Sequence, residues 1–286
     1  MLNNRQLQDI QTLQQLCENI DHLSLKLNWE MLRTRKPEDK MDYFHYTEDI
    51  LTGFLGVYKF GSKLEICGMV HPDYRRKGIF TSLLNEALQD SAVAGYSSLL
   101  LNVPAKSLSG ERFLLVIPCQ YECSEYQMRW YSAHEEDASF SNGRMNPQQK
   151  VMIREAIHDD ISDLIRLDKD GFEMIDEDVL DMAKILADDG LQYMHIIECD
   201  GTTVGKINII PEGNQRWIYA FTIDRAFRGQ GIGRRTLQLM IEMQQPNHNE
   251  LWLEVAVHNP KALKLYESCG FVTQEKQDYY QYIGVR

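Results

Sequence analysis

The chain has 286 residues, 43% of them apolar and 25% charged, a balance that describes a folded globular protein rather than extended disorder. Its formal net charge is -12, and from Val151 onward 14 Lys and Arg face 23 Asp and Glu, the opposite sign to a general nucleic-acid-binding surface. No apolar run approaches the roughly 20 residues of a membrane-spanning helix. Charge and apolar run length thus leave no nucleic-acid or membrane partner expected, and because the N-terminus lacks a signal-peptide pattern the expected setting is cytoplasmic.

In chain order, Leu7, Ile10, Leu13, Leu16, Ile20, Leu23 and Leu27 recur at helical spacing and predict a packed helix over 7–27. Extended segments follow at 43–46, 53–58 and 64–70, then an apolar-striped helix over 78–89 and a strand over 98–103. This order implies a sheet with crossover helices. Residues 132–150 carry Ser-Asn-Gly and Asn-Pro with hardly any apolar periodicity and read as a connector between a domain at 1–131 and one at 151–286. The plan then recurs, with strands over 194–199, 203–210 and 217–223, a helix to about Met243 and a strand over 251–257. The turn His71-Pro72-Asp73-Tyr74-Arg75-Arg76-Lys77-Gly78-Ile79 aligns without a gap on Asp224-Arg225-Ala226-Phe227-Arg228-Gly229-Gln230-Gly231-Ile232.

Six cysteines, Cys17, Cys67, Cys119, Cys123, Cys199 and Cys269, are scattered without a CxxC pair and read as small buried hydrophobes, so no metal site is expected. Cys119 and Cys123 are spaced to share a helical face. Arg228-Gly229-Gln230-Gly231-Ile232-Gly233 joins an apolar strand to a striped helix. Such a turn points unpaired backbone N–H groups outward at the positive end of the helix dipole, which suits a pyrophosphate. Glycine serves plain turns as well, and local chemistry alone leaves both readings open. The turn lacks the Gly-Lys-Ser/Thr ending of a P-loop.

With these residues the chain resembles the GNAT (GCN5-related) N-acetyltransferases. Their CoA signature is Arg or Gln, two residues, Gly, one residue, then Gly or Ala, and Arg228, Gly231 and Gly233 meet it. The run from Leu251 to Phe271 is similar to the ribosomal-protein alanine N-acetyltransferase branch, in which a Leu-Glu-Val strand is followed by Asn, Ala, Leu-Tyr and Gly-Phe. The resemblance implies an α/β fold of two GNAT-like mixed-sheet domains in tandem and acetyl-CoA as cosubstrate. It implies cofactor binding by Ile223, Arg228, Gly229, Gln230, Gly231, Ile232, Gly233 and Arg234. Asn259 would bond the pantetheine chain, or equally cap a helix.

Tyr266 matches the tyrosine that protonates the departing thiolate, and Glu254 matches a proposed general base. The chemistry agrees, because the attacking amine must lose a proton and the leaving sulfur gains from a nearby O–H. Tyr266 also reads as a packed aromatic, since it shares a helical face with Ala262, Leu265 and Cys269, and Glu254 reads as a charged strand-edge residue. In the first copy Arg75 and Gly78 meet the signature, but Phe80 takes the small position. Extending the alignment sets Val116 at the place of Tyr266, so the first domain is expected to be degenerate.

The expected function is acetyl transfer from acetyl-CoA to a primary amine, on a small molecule or a protein N-terminus, by direct attack. Thirteen acidic residues between Glu155 and Asp189 favour a cationic acceptor. The alternatives are transfer of another short acyl group and a non-catalytic acyl-CoA-binding or assembly protein.

Overall fold

The computed structural model describes residues 2–36, 39–96, 98–130, 150–172, 191–244 and 250–284. The chain divides into two compact units, Met1–Glu125 with Glu275–Arg286, and Tyr126–Gln274. The segment read as a connector lies, except for Lys150, outside the described residues.

The first unit begins with helix α1 (Asn4–Asp21), whose first turn is closed by a reciprocal cap. Asn3 Oδ1 accepts from the Gln6 backbone N–H at 2.9 Å and Gln6 Oε1 accepts from the Asn3 N–H at 3.0 Å. The helix ends earlier than the expected residue 27. His22 takes a left-handed φ of 54°, which stops the helix, and Leu23 and Leu27 reach the core from the segment beyond it. Helix α2 (Trp29–Thr34), strands β1 (Asp42–Thr47), β2 (Ile50–Phe60) and β3 (Lys63–Val70), helices α3 (Ile79–Gln89) and α4 (Ser91–Ala94), β4 (Ser98–Pro104), α5 (Leu108–Leu114) and β5 (Cys119–Trp130) follow. Eight consecutive residues of β2 are buried because both faces are covered. Ile10, Leu13 and Cys17 of α1 meet Phe54 and Tyr58 on one side, while Leu83, Leu84 and Ala87 of α3 meet Leu55 and Val57 on the other. Cys119 and Cys123 lie on the strand β5 instead of a helix, and all six cysteines are free thiols.

The second unit takes β5 from Tyr126 and adds β6 (Val151–Glu155), α6 (Ile161–Phe172), β7 (Met194–Cys199), β8 (Thr202–Glu212), β9 (Gln215–Ile223), α7 (Ile232–Gln244), β10 (Glu250–Ala256), α8 (Pro260–Glu267) and the start of β11 (Val272–Tyr282). From Glu275 onward β11 belongs to the first unit, where it pairs antiparallel with β4. Strand order is β1-β2-β3-β4-β11 in the first unit and β6-β7-β8-β9-β10 in the second. In each unit one ladder is parallel, β3 with β4 across α3 and α4, and β9 with β10 across α7, and the others among these neighbours are antiparallel. Each unit is thus a mixed sheet whose parallel step places a helix N-terminus at the end of a strand. No helix among the described residues is long and apolar enough to cross a membrane.

Candidate active site in the second unit

The turn after β9 is held from below by its own arginine. Arg228 Nε donates to the Ile223 carbonyl at 2.6 Å, and a terminal guanidinium nitrogen lies 3.2 Å from Asp170 Oδ2 on α6. Asp224 caps the single 3-10 turn that follows the strand, accepting from the Ala226 N–H at 2.9 Å. That bond, with Arg166 beside it, holds the Asp224 carboxyl below its usual pKa. The guanidinium that the resemblance assigns to cofactor binding therefore spends part of its bonding on fixing the turn.

The glycines divide into two kinds. Gly229 and Gly231 have φ of 79° and 87°, the left-handed region in which a side chain is strained. Gly233, inside the first turn of α7, has no such need, since a Cβ there would meet nothing nearer than Leu265 Cδ2 at 3.4 Å. The packing of the unit thus does not require glycine at 233, and its absence of a side chain leaves the helix start bare. The N–H groups of a first turn have no acceptor within the helix, and the first intrahelical bond here is Arg235 N to Gly231 O at 3.0 Å. A donor-lined, uncovered helix start suits the phosphates of a CoA molecule.

Beside this turn the sheet opens. The parallel ladder runs from Glu250↔Gln215 to Leu253↔Ile218. Beyond it β9 continues to Ile223 and β10 to Ala256 with no further pair between them among the described residues. A bulge in β9 sits where the strands part. Lys206↔Thr222 and Asn208↔Tyr219 leave Ile207 alone opposite Ala220 and Phe221, and Ala220 takes a φ of 46° without being a glycine. A bulge re-aims the backbone, and an alanine in the left-handed region costs roughly 1–2 kcal/mol that the surrounding ladder must offset. The first copy is regular here, Phe54↔Met69, Leu55↔Gly68 and Gly56↔Cys67, so the second copy carries one residue more. Sequence reading missed the bulge because the insertion shows only when strand registers are compared.

Glu254 is the first residue past the ladder. Leu251, Leu253 and Val255 alternate into the core, so Trp252 and Glu254 face the other way. Gln127 Nε2 donates to Glu254 Oε1 at 3.0 Å. The same side carries an aromatic row absent from the sequence reading. Trp217 stacks on Trp252 at 5.4 Å and on Tyr219 at 6.0 Å between ring centroids, and the Arg129 guanidinium lies 5.7 Å from the Trp252 ring centroid. Tyr266 belongs to the opposite side, with the core. It lies in the last turn of α8, 8% exposed, with Phe271 at 6.0 Å between ring centroids. Burial, with a smaller contribution from Cys269, pushes its hydroxyl pKa up to about 12. Glu254 and Tyr266 thus flank the parted strands from opposite faces of β10.

Asn259 caps α8, its Oδ1 accepting from the Ala262 N–H at 3.1 Å, which leaves the amide nitrogen to donate elsewhere. Gln230 Nε2 donates to the Ala226 carbonyl at 3.3 Å and Arg234 to the Ser268 carbonyl at 3.3 Å, so both side chains brace the turn. Ile232 is buried in the core, and His258 is exposed. The acidic run is largely neutralised where it is described. Asp160 pairs with Arg154, Asp163 with Arg166, and Asp170 with Arg225 and Arg228. Asp168 pairs with Lys206 at 2.6 Å in full burial, where desolvation pushes the acid up and the amine down, each opposed by the partner. Glu173, Asp176, Glu177 and Asp178 lie outside the described residues. No group of three or more His, Cys, Asp or Glu suited to a metal ion occurs among the described residues.

The profile of the acetyltransferase (GNAT) family matches residues 6–113 and again 158–271. The chain belongs to the GNAT family. The two matches make it a tandem member, with an α/β fold of two GNAT domains. N-alpha-acetyltransferase 30 of Saccharomyces cerevisiae is 32% identical over 95 residues, 30% of this chain and 54% of the yeast protein. The ribosomal protein bS18-alanine N-acetyltransferase of Escherichia coli K12 is 38% identical over 55 residues, 19% of this chain and 37% of that enzyme. These alignments span about half or less of the curated relatives' own length. A GCN5-related N-acetyltransferase from Sphaerobacter thermophilus shares the fold with a TM-score of 0.72 and 17% identity, over 100% of this chain and 98% of that one. A tandem GNAT protein from the clavulanic acid biosynthesis pathway shares it with a TM-score of 0.70 and 12% identity, over 96% and 94%.

Within this GNAT pair, register relates the copies residue by residue. The first parallel ladder ends at Ile66↔Leu101 and the second at Ile218↔Leu253, so Asn102 occupies the place of Glu254. Counting from the N-caps Ser107 and Asn259, the place of Tyr266 falls to Leu114 rather than to the expected Val116, which lies beyond the end of α5 and is 75% exposed. Neither leucine nor valine has a proton to give.

Proposed function

We propose that the chain is an acetyl-CoA-dependent N-acetyltransferase whose second unit transfers acetyl to a primary amine by direct attack. The observation that carries this reading is the parting of β9 and β10 after Ile218 and Leu253, with the glycine turn at one strand's end and Glu254 and Tyr266 on either side of the other. The backbone from Arg228 to Arg234 holds the phosphates at the bare start of α7, Ile223 marks the strand end above which the pantetheine runs, and the Asn259 amide nitrogen donates to that arm. The open edge of β9 and the bulge at Ala220 offer N–H groups toward the carbonyl oxygen on which charge develops.

Glu254, directly or through water, takes the amine proton as the N–C bond forms. The C–S bond breaks, and Tyr266 gives its proton to the departing sulfur. With a pKa of about 12 the phenol stays protonated until sulfur carries charge, and it regains its proton from solvent afterwards. No covalent enzyme intermediate is needed, because the two substrates meet in one opening.

The acceptor side is the face of Glu254 and the row Tyr219, Trp217 and Trp252. We read the acceptor as a protein or peptide N-terminus, following the acceptors named for the relatives, with its side chains against the aromatic row. A cytoplasmic enzyme acting on a cationic amine agrees with the net charge of -12. The test is CoA release with a panel of N-terminal peptides and matched small amines, cationic and neutral, at two salt concentrations. The reading predicts release with a peptide amine, a preference for the cationic member and a weakening of that preference as salt rises. Absence of release with every amine would defeat it.

A further inference from the structure

The strand that completes the acceptor face of the second unit comes from before the segment read as a connector. β5 is the hydrogen-bonded neighbour of β10, and its last residues, 126–130, belong to the second unit. Tyr126, Met128 and Trp130 turn into the core, so Gln127 and Arg129 stand on the side of Glu254 and Trp252. Arg129 steadies the aromatic row. It pairs with Glu250 Oε1 at 2.9 Å, and the other oxygen of Glu250 accepts from Trp252 Nε1 at 2.9 Å.

Gln127 steadies the carboxylate. Its side chain is buried, and Nε2 donates to Glu254 Oε1 at 3.0 Å. A carboxylate on a long side chain has several rotamers, and a donor on one oxygen fixes its plane and the direction in which the other oxygen points. A neutral amide does this without the counter-charge of an arginine or lysine, which would hold the carboxylate more firmly as an anion and weaken it as a proton acceptor.

The first unit shows that the fold itself does not ask for this pair. There Asn102 takes the place of Glu254, and the residue opposite it across the ladder is Tyr279. The Tyr279 hydroxyl donates to Glu125 Oε2 at 2.9 Å and accepts from Lys26 Nζ at 2.8 Å. Where the carboxylate is gone, the residue beside it is no longer an amide.

We propose that Gln127 is a positioning residue for acetyl transfer in the second unit, holding Glu254 in the orientation that takes the amine proton. The inference rests on Glu254 as the base. It gives the first half of the sequence a part in the chemistry: the half whose own copies of the two residues are Asn102 and Leu114 supplies the strand that aims the base of the other.

The experiment is a double-variant cycle in the full chain, read as the single-turnover rate of CoA release, with acetyl-CoA affinity and melting temperature alongside. Gln127→Met keeps the length of the side chain and removes the donor. It should slow release about tenfold while acetyl-CoA affinity stays within about twofold of wild type. In a Glu254→Gln background, already slowed, the same change should alter the rate by less than about twofold, because a residue that acts through Glu254 has nothing left to aim. A loss of packing would appear in both backgrounds. Gln127→Asn, which stays polar but withdraws the donor by one methylene, gives the same pattern and serves where Gln127→Met folds poorly. Equal slowing in the two backgrounds, or a wild-type rate in folded Gln127→Met, overturns the inference and leaves Glu254 as the base. A wild-type rate in Glu254→Gln removes the base, and the inference with it, as does a wild-type chain that releases no CoA with any amine.

Discussion

Glu254 and Tyr266 are alike in sequence reading, a polar residue with a packing alternative each, yet the structure treats them differently. Glu254 is half-buried and bonded by Gln127, whereas Tyr266 is packed with the core, as its helical spacing allowed, and burial raises its hydroxyl to about 12. A group with that pKa is fully protonated across the working range. With acceptor amine saturating, kcat should stay level from pH 8 to 10, and a falling limb near pH 10 that disappears in Tyr266→Phe would contradict the raised phenol pKa. Lys206 and Asp168 carry a different lesson. Both are sealed from solvent beside the bulge, and neither was singled out from sequence, because a lysine in a strand reads as exposed. Lys206→Met should cost about 3–5 kcal/mol by stranding a buried acid, while Lys206→Met with Asp168→Leu should recover much of that loss. Chemical denaturation measures both, and equal loss in the single and double variants would contradict the pairing.

At the scale of elements, the turn is the part that the sequence showed best, because a left-handed backbone restricts the residue type and Gly229 and Gly231 record that restriction in letters. The opening of β9 from β10 was not legible. It depends on where pairing stops, and Leu253-Glu254-Val255 looks the same whether or not Glu254 has a strand beside it. Helix α1 was overextended for a related reason: Leu23 and Leu27 keep the apolar spacing although His22 has already turned the chain. Gly233 lies between these cases, since its meaning comes from what the unit leaves empty. Replacing it with phenylalanine, the residue of the first copy, should change the melting temperature by no more than a few degrees while weakening CoA binding at least about tenfold, because the ring would cover the start of α7. Unchanged CoA affinity in a folded Gly233→Phe protein would show that the phosphates lie elsewhere.

For the whole molecule, the repeat was readable from the ungapped turn, and the family profile confirms it at 6–113 and 158–271. Its asymmetry was readable only in part. Phe80 announced a degenerate first copy, but the bulge, the exchange of Glu254 for Asn102 and the passage of β11 into the first unit emerge from register and contact. The acidic balance was legible, but Asp160, Asp163, Asp168 and Asp170 are paired, so the proposed attraction of a cationic acceptor would rest on the field of the whole chain rather than on these four. Among the chemical differences between the two halves is one hydroxyl, present on Tyr266 and missing from Leu114. The most direct measurement is therefore the single-turnover rate of CoA release by Tyr266→Phe in the full chain, with CoA affinity measured alongside. The expected result is a fall of about a hundredfold or more in that rate with affinity within about twofold of wild type. A Tyr266→Phe protein that releases CoA at the wild-type rate would contradict it.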